Sequence, residues 1–173
     1  MEFTEELIIK IATRDDSCRV IEMLKYVAQW MKDNNIDQWS FLLNGGEDEE
    51  IEQAIRNSET YIVLKNQELV ATFTLLCKQS EWDKEIWGVE NSSNSLYLHR
   101  LAITPAYMNL GIGKSILTWI VDNKKDKATL KLDCVAQNTK LNNFYKNNDF
   151  KLIGTKNGHS KYQKNIKNTR ETY

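Results

Sequence analysis

Apolar and polar residues alternate through Leu7 to Thr13, which predicts a first strand. Asp15 and Asp16 are helix-capping residue types, and behind them Cys18, Ile21, Leu24, Val27, Ala28 and Met31 recur at helical spacing. That stripe ends at the turn cluster Asp33-Asn34-Asn35. A short helix is predicted through Ile51, Ala54 and Ile55, opened by the acidic run Glu47 to Glu50, where negative charge suits the helix dipole. Tyr61 to Leu64 and Leu69 to Leu76 read as a hairpin turning at Asn66-Gln67. Ser80 to Asn94 reads as a long polar connection carrying Trp82 and Trp87, and long connections in compact domains are often functional.

Leu96, Leu98, Leu101 and Ile103 then predict a buried strand, closed by Pro105, which has no amide hydrogen for a ladder. Ile116, Leu117, Ile120 and Val121 place a helix over 111–123, and ATLKLDCV over 128–135 reads as another strand. Strand, helix, strand in this order is a βαβ unit with parallel strands. Leu141, Phe144 and Tyr145 suit a helix ending near Asn147-Asn148, and Phe150 to Gly154 and Lys161 to Gln163 read as closing strands. The polar tail from Asn165 to Tyr173 is expected to fray. With no repeat and no linker, residues 1–173 are expected to form a single domain with its core over about 7–165. The predicted class is α/β (α+β), a mixed central sheet of six to seven strands with flanking helices.

Composition narrows the function classes. The chain has 173 residues, 41% hydrophobic and 27% charged, which fits a globular protein with a substantial core. A net charge of −1 offers no basic field for nucleic acid. Cys18, Cys77 and Cys134 form an odd, scattered set, which argues against a disulfide framework and for a reducing compartment. No clustered Cys/His pair points to a metal, and no metal is expected. The N-terminus lacks the apolar stretch of a signal peptide, and no 18-residue apolar run spans a membrane, so cytoplasmic residence and no membrane partner are the expectation.

The chemistry concentrates where strand 96–103 turns into helix 111–123, at Asn109-Leu110-Gly111-Ile112-Gly113-Lys114-Ser115. A helix start leaves backbone N–H groups without partners and carries partial positive charge, so it attracts anions. Two glycines remove the Cβ atoms that would hold a phosphate off. A Walker A loop is excluded because its first glycine falls on Met108. A dinucleotide fingerprint is excluded because its third glycine falls on Ile116. The plainer reading is an ordinary glycine-containing helix start.

With these residues in place the chain resembles the GNAT superfamily of acyl-CoA-dependent N-acyltransferases. The family's acyl-CoA signature, [RQ]-x-x-G-x-[GA], aligns with Met108-Asn109-Leu110-Gly111-Ile112-Gly113; Met108 departs from the usual Arg or Gln. A second family signature is similar to the stretch from Leu132 to Phe150, with Asn138, Phe144, Tyr145 and Phe150 in place, Leu141 where Ala is usual and Asp149 where Gly is usual, which points to a different turn there. The resemblance covers roughly residues 7 to 165. It implies the GNAT fold, with strands 96–103 and 128–135 parallel and splayed apart.

The resemblance also implies a reaction, direct transfer of the acetyl group of acetyl-CoA to a primary amine of a small molecule or peptide through a tetrahedral intermediate. The alternative is an acyl-CoA-binding sensor or interaction domain without catalysis. Asn109, Leu110, Gly111, Ile112, Gly113, Lys114 and Ser115 would hold the pyrophosphate. Leu101, Ala102 and Ile103 would pair with the pantetheine arm, with Asn138 contributing from the other strand; the plainer reading of Asn138 is a helix N-cap. Tyr145 matches the family's general-acid tyrosine. A phenol, with a pKa of about 10, protonates a thiolate of pKa about 8.5 only slightly uphill; the plainer reading is an aromatic core residue. The family often places a base or a water-holder on this strand four or six residues before its end, which gives His99 and Tyr97; the two share one face of the strand, and an imidazole with its ordinary pKa of about 6.5 suits the role. The plainer reading of His99 is a packed strand histidine. Arg100 and Lys114 are candidate phosphate partners or solvated charges.

Trp30, Trp39, Trp87 and Tyr97 are the candidate acceptor-binding residues, with Trp82 nearby in sequence, and aromatic walls suit an apolar or cationic acceptor. The acidic run at Glu47 either attracts an amine or is a solvated helix start. The resemblance further allows a homodimer.

Overall fold

The structure, a computed structural model, describes residues 6–91 and 94–166. Two compact units make it up: 6–74 with 100–112, and 75–91 and 94–99 with 113–166.

In the first unit, β1 (Leu7–Ile11) pairs antiparallel with β2 (Thr60–Lys65), and β2 with β3 (Glu68–Leu76). The β2–β3 turn holds Asn66 and Gln67 at φ 50° and 66°, the paired left-handed geometry that follows the twist of a hairpin. Thr60 and Thr74 join their hydroxyls at 2.9 Å across the buried ladder. The helix α1 (Ser17–Asp33) buries Val20, Met23, Leu24, Val27 and Ala28. Its inward face is thus turned from the predicted stripe, with Cys18 exposed, because Val20 and Met23 share the i, i+3, i+4, i+7 row with Leu24 and Val27. Asp16 precedes this helix without capping it; its carboxylate accepts the Thr13 N–H at 2.8 Å and pairs with Arg19. The helix α2 (Asp48–Arg56) turns Ile51, Ala54 and Ile55 inward, as expected. The unit's core is Leu24, Val27, Leu42, Ile51, Ile62 and Ala102 with their neighbours.

The second unit holds α3 (Glu81–Trp87), the first half of β4 (Ser95–Ile103), β5 (Thr129–Val135), α5 (Thr139–Asn147), β6 (Lys151–Lys156) and β7 (His159–Asn165). The helix α4 (Ile112–Asn123) starts at the last residue of the first unit and runs into the second. The sheet has seven strands in the order β1-β2-β3-β4-β5-β7-β6, with β4 and β5 parallel.

Three expectations change in this unit. The stretch Ser80 to Asn94 is not all connection: Ser80 and Asp83 form a capping box that starts α3. Asp149 does not open a different turn; it takes the left-handed position at φ 67° that glycine usually fills. The Phe150 N–H then reaches the Tyr145 carbonyl at 3.1 Å and the Asp149 N–H the Lys146 carbonyl at 3.3 Å, the bond pair of a Schellman end. Asn165 is the last residue of β7, and Ile166 is buried with its N–H on the Ala128 carbonyl at 2.9 Å. The rest of the expected tail, 167–173, lies outside the described residues.

Candidate active site

The β4–β5 ladder aligns Ser95 with Thr129, Leu96 with Leu130 and Tyr97 with Lys131. Beyond Tyr97 and Lys131, among the described residues of this unit, the ladder stops although β5 runs on to Val135. Arg100, the next residue of β4 after His99, is at φ 49°, a backbone conformation foreign to an extended ladder. Side chains alternate across a strand. One face of the sheet therefore carries Tyr97, His99, Lys131 and Asp133, and the other carries Leu130, Leu132 and Cys134.

On the first face, His99 Nε2 stands 2.9 Å from Asp83 Oδ1 and 3.1 Å from Oδ2. The Asp83 side chain is completely buried, and His99 keeps 18% exposure. Asp83 Oδ2 also accepts the Ser80 N–H and hydroxyl, each at 3.0 Å.

A second carboxylate lies beside this pair. Trp82 Nε1 donates to both oxygens of Asp133, at 3.1 Å each. The His159 ring meets Trp82 edge-on at 4.9 Å, and its Nδ1 lies 3.0 Å from Asp133 Oδ2 without the alignment of a hydrogen bond. Burial pushes the Asp133 carboxyl above its ordinary range, against the pull of Trp82, His99 and His159, and the Asp83 charge pushes the same way as burial. Both histidines of the chain are therefore set against buried aspartates on one sheet face. Among the described residues no three His, Cys, Asp or Glu side chains converge as metal ligands.

Next along this face, Glu90 accepts the Tyr97 hydroxyl at 2.7 Å and pairs with Lys131. The Lys131 ammonium lies 4.9 Å from the Trp87 ring centre and 5.9 Å from that of Tyr97, and the Lys161 ammonium is 5.4 Å from Trp87.

Tyr145 lies on the other face. Its ring packs against Phe150 at 5.5 Å and against Tyr162 at 5.8 Å, and Tyr162 is the ladder partner of Leu132. Burial pushes its phenol above the ordinary value, and Cys134 and Asp133 add to that. The same burial pushes the Cys134 thiol up to about 12. Tyr162 Oη donates to Asn142 Oδ1 at 2.7 Å, and Asn142 Nδ2 donates to the Val135 and Asn138 carbonyls, tying α5 to the end of β5.

Residues 27–150 match the family model of the acetyltransferase (GNAT) family. The chain belongs to the GNAT acetyltransferases. It is 32% identical over 158 residues to a protein of Bacillus subtilis (strain 168) called uncharacterized N-acetyltransferase YesJ, covering 90% of this chain and 88% of that one. A GNAT-family acetyltransferase structure from Listeria monocytogenes 4b F2365 superposes with a TM-score of 0.80 at 25% identity, covering 95% and 98% of the two chains. The PaiA N-acetyltransferase of Thermoplasma acidophilum, whose crystal structure is a complex with coenzyme A, gives 0.74 at 19% identity, covering 92% of this chain and 99% of its own. The seven-stranded mixed sheet with parallel β4 and β5 is the GNAT fold.

In this GNAT chain the residues expected at the pyrophosphate follow one another from the turn after β4 into α4. Asn109 and Gly111 are left-handed at φ 61° and 81°. A Cβ on Gly111 would meet nothing within 4 Å, so the protein itself leaves that space open, and the residues fit an anion there. Leu110 is exposed, Ile112 and Gly113 are buried, and Lys114 and Ser115 are exposed. Leu101, Ala102 and Ile103 form the end of β4 in the first unit, where Ala102 enters the core. Asn138 caps α5, its Oδ1 accepting the Leu141 N–H at 3.1 Å, which is the plainer of its two sequence readings.

Among the candidate acceptor residues, Trp87 and Tyr97 meet at Lys131 in the second unit. Trp39 packs against the core of the first unit at φ 63°, and Trp30 is half-buried on α1. Two charged candidates change character. Arg100 is largely buried and paired with Glu47 at 3.4 Å, so it is not a solvated charge, and Asp48 is held by Lys25 at 3.0 Å. Glu47 and Asp48 are thus engaged by basic side chains of their own unit, while Glu49 and Glu50 of the acidic run are exposed.

Sequence reasoning missed Asp83, Asp133, His159 and Glu90. Ser80-x-x-Asp83 was a readable capping box. The rest of the cluster depends on strand register, which no local pattern encodes.

Proposed function

We propose that this acetyltransferase carries the acetyl group of acetyl-CoA to a primary amine of a small molecule or peptide by direct attack on the thioester. The observation that carries the reading is the β4–β5 ladder stopping at Tyr97 and Lys131, with His99 just beyond the break on one face and Tyr145 beneath the other. Unpaired strand edges offer backbone groups to a pantetheine arm, and the coenzyme A complex of the Thermoplasma acidophilum relative supports that co-substrate. In this reading the backbone from Asn109 to Ser115 grips the pyrophosphate, and Leu101 to Ile103 pair with the arm.

His99 takes one proton from the acceptor ammonium. The freed nitrogen lone pair forms the C–N bond at the thioester carbonyl, and the C–S bond breaks as the tetrahedral intermediate collapses. Tyr145 gives its proton to the departing thiolate, and its phenolate regains one from the new amide nitrogen, so one proton leaves through His99. The burial that keeps Tyr145 protonated raises a thiol in the same surroundings, as Cys134 shows. A buried thiolate is therefore a stronger base than one in water, so burial of both groups leaves the proton transfer only slightly uphill.

The test is thiol release from acetyl-CoA across amines, amino acids, polyamines and peptides. Release with at least one class, together with saturable coenzyme A binding by calorimetry, upholds the reading. Binding without release from any amine overturns it in favour of a non-catalytic acyl-CoA binder.

A further inference from the structure

Asp83 occupies the third position of α3, where a carboxylate closes the capping box by accepting from Ser80. One oxygen is enough for that, and Oδ2 does it, accepting both the Ser80 N–H and the Ser80 hydroxyl. Oδ2 is also the oxygen hydrogen-bonded to His99 Nε2 on β4, at 3.1 Å, while Oδ1 lies 2.9 Å from the same nitrogen without the alignment of a hydrogen bond. A carboxylate fed only by donors is acceptor-only, so a neutral His99 has its proton on Nε2 and its lone pair on Nδ1. Complete burial removes water as a rival partner for Asp83 and strengthens the contact.

We propose that Asp83 is the positioning residue of the acetyltransfer reaction: it fixes the tautomer of His99 so that Nδ1 is the nitrogen that takes the acceptor's proton, and it stabilises the imidazolium that results. This rests on the reading of His99 as the base. The charged groups around the pair are Asp83 from α3, Asp133 from β5 and His159 from β7, with Glu90 and Lys131 paired to each other farther along the face. Asp133 has its own donor in Trp82, which leaves Asp83 as the carboxylate in direct contact with the base.

The competing role for Asp83 is capping alone. Two variants and one spectroscopic measurement separate the roles. With only two histidines in the chain, nitrogen-15 labelling of histidine gives two imidazole spin systems, and the pattern lost in H99Q belongs to His99. In the wild-type protein neutral His99 is expected as the Nε2–H tautomer. In Asp83→Asn that tautomer preference is lost, kcat falls roughly tenfold or more, and the acid limb of kcat/KM moves down by about one pH unit, because the imidazolium has lost its counter-charge. Coenzyme A affinity is unchanged. Ser80→Ala removes the cap but keeps the His99 contact, so its tautomer and acid limb stay those of the wild type.

An Nδ1–H tautomer in the wild-type protein overturns the proposal even if Asp83→Asn fails to fold. So does an Asp83→Asn enzyme with wild-type tautomer and profile, or a Ser80→Ala enzyme that shifts as Asp83→Asn does. Failure of the acetyltransfer reading looks different: the wild type releases no thiol with any amine, while the tautomer still reports whether Asp83 sets the imidazole.

Discussion

Trp82 Nε1 sits 3.1 Å from both carboxylate oxygens of Asp133, a contact that spans 51 residues of sequence and pins α3 to β5. Asn157 donates to Glu85 at 3.1 Å and Asp83 holds His99, so a seven-residue helix is fastened to three strands or their turns. A segment this short is not stable as an isolated helix. Two of its three tethers, Trp82–Asp133 and Asp83–His99, are side chains of the candidate site, so much of the site and of the local fold is one set of contacts.

Asp133 should make stability depend on pH in an unusual direction. Its carboxyl is raised in the folded state, so it contributes stability below the ordinary carboxylate range and loses it as pH rises through the folded value. Asp133→Asn keeps an acceptor for Trp82 and removes the buried charge. Its melting temperature should exceed the wild type's at pH 7 to 8, with the gap closing toward pH 4. A gap that widens on acidification would contradict the raised carboxyl.

Tyr145→Phe preserves the ring packing against Phe150 and Tyr162 and deletes only the hydroxyl. We expect kcat to fall roughly tenfold or more. Calorimetry should give unchanged coenzyme A affinity, since the phenol is not among the groups proposed to hold the pyrophosphate.

Gly111→Ala tests the turn into α4. Alanine at φ 81° costs about 1–2 kcal/mol. In a chain of this length that is a drop of about 2–8 °C in melting temperature. Coenzyme A binding should weaken as well if this backbone grips the pyrophosphate as proposed, because the new methyl enters space that the protein leaves open. Loss of stability with full affinity would mean that the diphosphate lies elsewhere.

Tyr162→Phe should destabilise by about 1–3 kcal/mol, because it strands the buried oxygen of Asn142, whose amide nitrogen ties α5 to β5. Urea denaturation with an unchanged slope would attribute the loss to the folded state.

What local pattern encodes was legible before the structure. The hairpin at Asn66-Gln67, the βαβ unit through α4, and the inward rows Leu24-Val27-Ala28 and Ile51-Ala54-Ile55 follow from periodicities of two and 3.6. α3 was missed because a seven-residue helix shows less than two turns of periodicity, although its capping box was readable. At Asp149 the missing glycine points to a different turn, but aspartate's tolerance of left-handed backbone keeps the turn that glycine would make. Within the candidate site, His99 and Tyr145 stood out by residue type and family position. Asp83 and Asp133 did not, since their meaning arises only when α3, β4 and β5 come together.

The lysine lodged against Trp87 and Tyr97 has a bearing on what the enzyme accepts. Lys131 is a guest already seated, tethered by its own backbone and locked by Glu90. A soluble cation would compete with one that never diffuses away, at an effective concentration that short tethers place in the millimolar range or above. The abundance of tryptophan along this stretch is therefore no advertisement for a charged visitor; the hospitality is already taken.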